Sequence, residues 1–160
     1  MTWPTGEVYS GYWKDGLRNG RGKMVFDDDA WYEGEWKAHF MHGMGVLCID
    51  GTRFEGLFVE DKKTGKGHFV DKDGNEYVGE FSNNMFNGKG KCSWKKTGDI
   101  YEGNYVNDKK KGHGIYIWGN DNRKYDGQWD NDIQNGEGVL YDNSGKIIYK
   151  GYWSNGSYSK

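Results

Sequence analysis

Tyr32-Glu33-Gly34-Glu35-Trp36-Lys37-Ala38-His39-Phe40-Met41-His42-Gly43-Met44-Gly45-Val46-Leu47-Cys48-Ile49-Asp50-Gly51 is the stretch that decides the fold. Its first five residues alternate ring, acid, glycine, acid, ring. That period of two marks a half-buried strand. A short connecting stretch follows, and Gly43 to Ile49 reads as a second strand. Asp50-Gly51 suits a two-residue type I′ turn. The segment is a β-hairpin, and the turn at its end passes the chain on to the next one.

The same pattern recurs along the chain. The opening aromatic falls at Tyr9, Tyr32, Phe54, Tyr77, Tyr101, Tyr125 and Tyr149, at spacings of 23, 22, 23, 24, 24 and 24 residues. Counting from that ring as position zero, glycine stands at plus two in every unit and a second aromatic at plus four. Six units carry a further glycine pair at plus eleven and plus thirteen, from Gly20/Gly22 to Gly136/Gly138. Asp73-Gly74, Thr97-Gly98 and Ser144-Gly145 sit where Asp50-Gly51 sits. A fixed period of this length identifies a repeat architecture. The expected fold is all-β: an elongated, single-layer, twisted antiparallel sheet of stacked β-hairpins. Residues 1–160 read as one repeat domain, with units starting at 9, 32, 54, 77, 101 and 125 and a partial unit at 149.

Composition agrees with that reading. Nineteen of the 27 glycines belong to the period, so they are ordered positions and not a flexible linker. Fourteen of the 27 aromatics occupy positions zero and plus four, which predicts a thin layer held by ring packing. A net charge of -2 encodes no general attraction to nucleic acid. Cys48 and Cys92 lie in different units and suggest neither a disulfide framework nor zinc spacing, which fits a reducing, cytoplasmic setting. No apolar run is long enough for a membrane-spanning helix.

Parity assigns the faces. With the hairpin centred between plus seven and plus eight, position zero opposes plus fifteen, and plus four opposes plus eleven. One face then carries the rings. Glycine at plus two opposes glycine at plus thirteen, which leaves room for a ring of the neighbouring unit. The other face carries acids on the first strand (Glu33, Glu35, Glu55, Glu80, Glu102, Asp126) and bases on the second (Arg21, Lys23, Lys66, Lys89, Lys91). These are expected to form cross-strand pairs, Glu80 with Lys89 among them.

The pattern resembles the MORN repeat (membrane occupation and recognition nexus), whose core reads Tyr-x-Gly-x-Trp, a short polar loop, then Gly-x-Gly. Residues 32–36 and 125–129 match it residue for residue, and the likeness runs from Tyr9 to the C-terminus. The third and fourth units replace Trp by Phe, and the second has Lys37-Ala38-His39-Phe40 in place of a polar loop. The resemblance implies stacked hairpins forming a groove, with no catalytic activity of their own. It points to cytoskeletal or membrane-apposed scaffolds, including ciliary axonemes and radial-spoke-type complexes. Trp3-Pro4-Thr5-Gly6 resembles the end of a preceding second strand, so both sheet ends are expected to be open edges that self-association or a partner would extend.

Asp71 to Glu76 resembles a calcium loop only in part, with its glycine one position early and Ser82 where the last ligand belongs. His39 and His42 lack a third metal ligand nearby. No nucleophile-and-base constellation is present, so neither an enzyme nor a cofactor is expected. The candidate protein-binding groove is the ring series Trp13, Trp36, Phe58, Phe81, Tyr105 and Trp129, with Trp94 and Trp118 opposite. The apolar tips Phe40, Met41, Met85 and Phe86 form a candidate partner rim. Lys62, Lys63, Lys109, Lys110 and Lys111 form a candidate contact for acidic lipid. The expected function is a protein-interaction scaffold of a cytoskeletal assembly. A peripheral membrane adaptor and a regulatory module of a larger protein are the alternatives.

Overall fold

A computed structural model describes residues 1–158. Among these residues there are fourteen strands and no helix. They are β1 (Val8–Lys14), β2 (Leu17–Asp27), β3 (Ala30–Lys37), β4 (Phe40–Ile49), β5 (Thr52–Val59), β6 (Lys62–Val70) and β7 (Glu76–Ser82). The series continues with β8 (Met85–Ser93), β9 (Ile100–Val106), β10 (Lys109–Ile117), β11 (Lys124–Asp130), β12 (Ile133–Tyr141), β13 (Ile147–Ser154) and β14 (Ser157–Tyr158). Sheet order is chain order, β1 through β14. The strands fall into two compact units, residues 1–72 with 81–84, and residues 73–80 with the described residues from Met85 on.

In the first unit, the expected pairing of position zero with plus fifteen holds. Tyr9 faces Met24, Tyr32 faces Leu47 and Phe54 faces Phe69. The glycine pairs also meet, Gly11 with Gly22, Gly34 with Gly45 and Gly56 with Gly67. The second unit repeats this at Gly103/Gly114 and Gly127/Gly138.

The pairing of plus four with plus eleven does not hold. Within a hairpin, plus four faces plus nine: Trp13 with Arg18, Trp36 with Met41, Tyr105 with Lys110. The glycine at plus eleven faces the second aromatic of the following unit, as Gly20 does Trp36 and Gly112 does Trp129. The physical reason is where the hairpin turns. The turn lies at plus six and plus seven, where Ala38-His39, Asn83-Asn84, Asn107-Asp108 and Asn131-Asp132 all take positive φ. That is the type I′ geometry that matches strand twist. Two extra residues at plus ten and plus eleven then bulge the second strand, and the plus-eleven glycine absorbs the bulge with φ from 61° at Gly65 to 115° at Gly136. Asp50-Gly51 is a two-residue turn as expected, with Ile49 paired to Thr52.

Each position-zero ring lies over its own glycine pair, not over that of a neighbouring unit. A Cβ on Gly22 would meet Tyr9, and one on Gly45 would meet Tyr32. The tyrosine hydroxyl then reaches the backbone three residues on. Tyr32 Oη donates to Glu35 O at 2.9 Å, and Tyr101 Oη to Asn104 O at 3.0 Å. These bonds satisfy the one polar atom of an otherwise buried ring.

Within each compact unit the rings interlock edge to face, each repeat with the next. Tyr32 meets Trp36 at 5.0 Å and Phe58 at 5.2 Å, and Phe54 meets Phe58 at 5.2 Å. In the second unit, Tyr101 meets Tyr105 at 5.1 Å and Trp129 at 5.4 Å. Each T-shaped pair contributes roughly 0.5–1.5 kcal/mol beyond simple burial. Trp36 Nε1 donates to Gly22 O, and Trp129 Nε1 to Gly114 O.

The turns carry a second stitch between hairpins. The residue at plus seven exchanges bonds with plus nine of the preceding hairpin. Asp61 N donates to Met41 O, and Asp61 Oδ1 accepts the Met41 backbone N–H at 2.7 Å. Asn84 does the same to Lys63, Asp108 to Phe86 and Asp132 to Lys110. In the second hairpin His39 takes this role, with Nδ1 accepting the Arg18 N–H at 3.1 Å.

The expected open edge at the first strand is partly covered. Met1 exchanges both backbone bonds with Tyr9, and Thr2 bridges to Val8. Trp3 N donates to Glu7 O and Gly6 N to Trp3 O. Trp94 with Asp99 and Gly98 makes the same pair of bonds at the end of a second strand.

Candidate protein-interaction surfaces

The ring series expected to line a groove is instead the interior of the fold. Phe58 has no exposed surface, and Trp36, Phe81, Tyr105 and Trp129 are all buried. Trp13 alone is open, at 40% exposed. Trp94 and Trp118 are half-buried, each packed against Tyr116. What covers the rings is position plus nine, which the sequence reading passed over. Arg18 lies over Tyr9 and Trp36, and Lys63 over Phe54 and Phe69. Phe86 stacks flat on Tyr77 at 3.7 Å. Lys110 is the most enclosed, with its ammonium 5.2–5.6 Å from the centroids of Trp94, Tyr101, Tyr116 and Trp129. Desolvation pulls its pKa down, against the pull of Asp132.

These placements correct the rim and lysine readings. Met41 and Phe86 sit at plus nine on the ring side, and Met85 is half-buried; only Phe40 presents a ring to solvent, 47% exposed. Of the five lysines, Lys63 and Lys110 lie over rings. Lys109 pairs with Asp132 at 2.9 Å and Lys111 with Asp130 at 3.3 Å. Lys62 is exposed.

The charged face carries a groove in each compact unit. In the first unit a depression of about 610 Å³ is lined by Arg21, Lys23, Trp31, Glu33, Met44 and Glu55, with Gly22, Gly34 and Gly45 as its floor. In the second, one of about 610 Å³ is lined by His113, Asp126, Gln128, Glu137, Lys150 and Tyr152 over Gly127, Gly138 and Gly151. The glycine Cα–Cβ direction points to the ring side, so the floor on this side is bare backbone. A cross-strand charge pair does form here, Lys23 with Glu33 at 3.3 Å, and His113 Nε2 shares a hydrogen bond with Asp126 Oδ1 at 2.8 Å. Glu80 engages Lys89 through the Lys89 backbone N–H at 2.9 Å. Exposed apolar side chains stand among these charges, Met44 at 54% and Tyr152 at 64%. No group of three or more His, Cys, Asp or Glu suited to a metal ion occurs among the described residues.

Burial of the phenols has a consequence for pH. Desolvation raises the pKa of Tyr32, Tyr77, Tyr101 and Tyr105, and pushes Tyr125 up to about 12. In the unfolded chain these groups ionise near 10. Their contribution to stability is therefore complete below pH 10 and is lost as pH rises through the folded values. Lys110 acts in the opposite direction, since its lowered pKa relieves a desolvation cost as pH rises, but it is one group against five. The urea midpoint is expected to fall steadily above about pH 10, with Tyr32, Tyr77, Tyr101, Tyr105 and Tyr125, followed ring by ring by carbon-13 NMR, ionising only as the chain unfolds. Ionisation of any of these five rings near pH 10 in a still-folded chain would contradict the ring burial.

The stacked hairpins, the ring over each glycine pair and the glycine bulge define a repeat protein, and the chain belongs to the MORN repeat family. The family model matches residues 9–30, 32–53, 54–76, 77–98, 101–123 and 125–147. Alsin of Rattus norvegicus is 37% identical over 73 residues, which is 42% of this chain and 4% of Alsin. Alsin of Homo sapiens is 36% identical over the same extent. The chain thus spans 4% of the length of these relatives. The crystal structure of the TCP10c domain of Drosophila melanogaster Sas-4 superposes with a TM-score of 0.53 at 12% identity, covering 94% of this chain and 89% of that one. At that identity the likeness is one of fold. No helix of the described residues is long and apolar enough to cross a membrane.

Proposed function

We propose that this chain is a non-catalytic scaffold that holds protein segments on its charged face. The carrying observation is the glycine-floored groove in each unit, where exposed Met44 or Tyr152 stands among charged side chains. Bare backbone lets a bound segment approach closely, and the flanking charges supply its orientation. The opposite face is consumed by ring packing. The polar groups of the repeat are largely committed as well, since tyrosine hydroxyls and Glu35, Glu80 and Asn104 bond backbone. The setting we favour is a cytoskeletal assembly, in particular a ciliary axoneme complex of the radial-spoke kind. The MORN repeats support it, and so does the shared fold of the Sas-4 TCP10c domain.

Quantitative affinity capture from the native source tests the groove. Trp31→Ala combined with Met44→Ser is expected to lose most proteins captured by the wild-type chain, while its circular dichroism stays unchanged. An unchanged captured set would overturn the groove assignment. The match to 4% of Alsin favours a second reading, a module within a longer protein. An antibody to this chain that detects a native species much larger than 18.4 kDa would support it, and a species of that size would exclude it.

A further inference from the structure

The hairpin tips of the first unit carry a surface separate from the groove. Position plus five faces plus eight just inside each turn, giving Lys14 with Leu17, Lys37 with Phe40 and Val59 with Lys62. Each pair joins one ammonium group to one apolar side chain. Leu17, Phe40 and Val59 are 37%, 47% and 42% exposed. Lys14, Lys37 and Lys62 are exposed too, and among the described residues none of them has an ion-pair partner. The same positions in the second unit are neutralised within the chain. There Lys109 is tied to Asp132, and Ile133 faces Asp130, which holds Lys111. Lone cations beside exposed apolar groups are thus a property of the first three tips and not of the repeat.

The spacing selects the occupant. Neighbouring strands lie about 4.8 Å apart, and an α-helix rises about 1.5 Å per residue, so a helix laid across the strands passes one strand every ~3.2 residues. Leu17 is on β2, Phe40 on β4 and Val59 on β5. Steps of two strands and then one correspond to helix positions i, i+7 and i+10, which lie on one helical face. The lysines on β1, β3 and β6 fall before, between and after them. We propose that this strip docks an acidic amphipathic α-helix. Its apolar residues at i, i+7 and i+10 meet Leu17, Phe40 and Val59, and its carboxylates meet Lys14, Lys37 and Lys62. A flat anionic membrane fits less well. The turns beyond the lysines carry Asp15, Glu60 and Asp61, and a bilayer reaching the lysines would also meet Asp15 and Glu60. A rod lying inboard of the turns avoids them.

The test is fluorescence anisotropy of the full chain with a labelled model helix. The helix carries Leu at i, i+7 and i+10, with Glu on the flanks. Saturable binding is expected, weakened about tenfold, or ~1.4 kcal/mol, by Phe40→Ala. Lys14→Glu/Lys37→Glu/Lys62→Glu is expected to abolish it, and a peptide with Lys in place of Glu to restore it. All these side chains are exposed, so the variants remain folded, as circular dichroism will verify. Trp31→Ala is expected to leave the affinity unchanged, which separates this strip from the groove. Absence of saturable binding by wild type would overturn the proposal. So would indifference to the variants, loss with Trp31→Ala, or lysine-dependent capture of phosphatidylserine vesicles without capture of the helix.

Discussion

Phe58→Ala is expected to lower the unfolding free energy by about 3–5 kcal/mol, the cost of emptying a fully buried aromatic site. Phe58 has no exposed surface and meets Tyr32 and Phe54 edge-on, each at 5.2 Å. Removing it therefore opens a cavity under two hairpins at once. Collapse into that space is blocked, because the backbone on either side is pinned by the strand ladder and the turn stitches. Trp13→Ala is the matched comparison. That ring is 40% exposed and meets one repeat ring, Tyr9. Its loss is expected to cost about 1–2 kcal/mol. Urea unfolding followed by far-ultraviolet circular dichroism measures both. Equal costs at the two positions would mean that ring burial does not set the energetics.

Gly34→Ala is expected to cost roughly 3 kcal/mol, the upper end for overpacking a tight site. A Cβ there would stand 2.5 Å from Gly45 Cα and 2.5 Å from Tyr32 Oη. The first of these is backbone and the second belongs to a ring held by its bond to Glu35 O, so neither yields without breaking a pairing. Gly34 does not take positive φ, so its backbone conformation contributes no penalty and the effect isolates the missing space. Gly145→Ala separates the two causes. It has open space around a Cβ but a φ of 86°, and is expected to cost about 1 kcal/mol from conformation alone. A Gly34→Ala variant as stable as wild type would remove the ring-over-glycine account.

Some of this was legible in the sequence because the period averages over local exceptions. Positions zero, plus two and plus thirteen recur in every full unit, so they were placed on one face correctly. The turn was not, because Ala38-His39 and Glu60-Asp61 hide a signal that Asn83-Asn84, Asn107-Asp108 and Asn131-Asp132 display. Asn and Asp tolerate the left-handed region, and reading those dipeptides as the turn would have moved it by one residue. That residue sets the pairing just after the turn and leaves the faces unchanged. It puts plus nine opposite the second aromatic at plus four, and plus eight opposite plus five. It also makes the plus-eleven glycine a bulge and not a partner of the second aromatic. Position plus nine was invisible for a different reason. Arg18, Met41, Lys63, Phe86, Lys110 and Gln134 share no chemistry, and the four that lie over rings, Arg18, Lys63, Phe86 and Lys110, do so with cations or with a second ring. The ring series reads as a candidate groove for the same reason that the fold is recognised: the most periodic residues are those that hold the structure together, and they are buried.

Hydroxyl-radical footprinting of the isolated chain, read by mass spectrometry, tests that central claim most directly. Tyr12, Met44 and Tyr152, which stand 71%, 54% and 64% exposed on the charged face, are expected to oxidise readily. Tyr32, Phe58, Tyr77, Tyr101 and Tyr125, at 0–1% exposure, are expected to resist until the chain unfolds. Repeat rings that oxidise as fast as Tyr12 and Tyr152 in the folded chain would contradict the account, because the ring face would then be the open one.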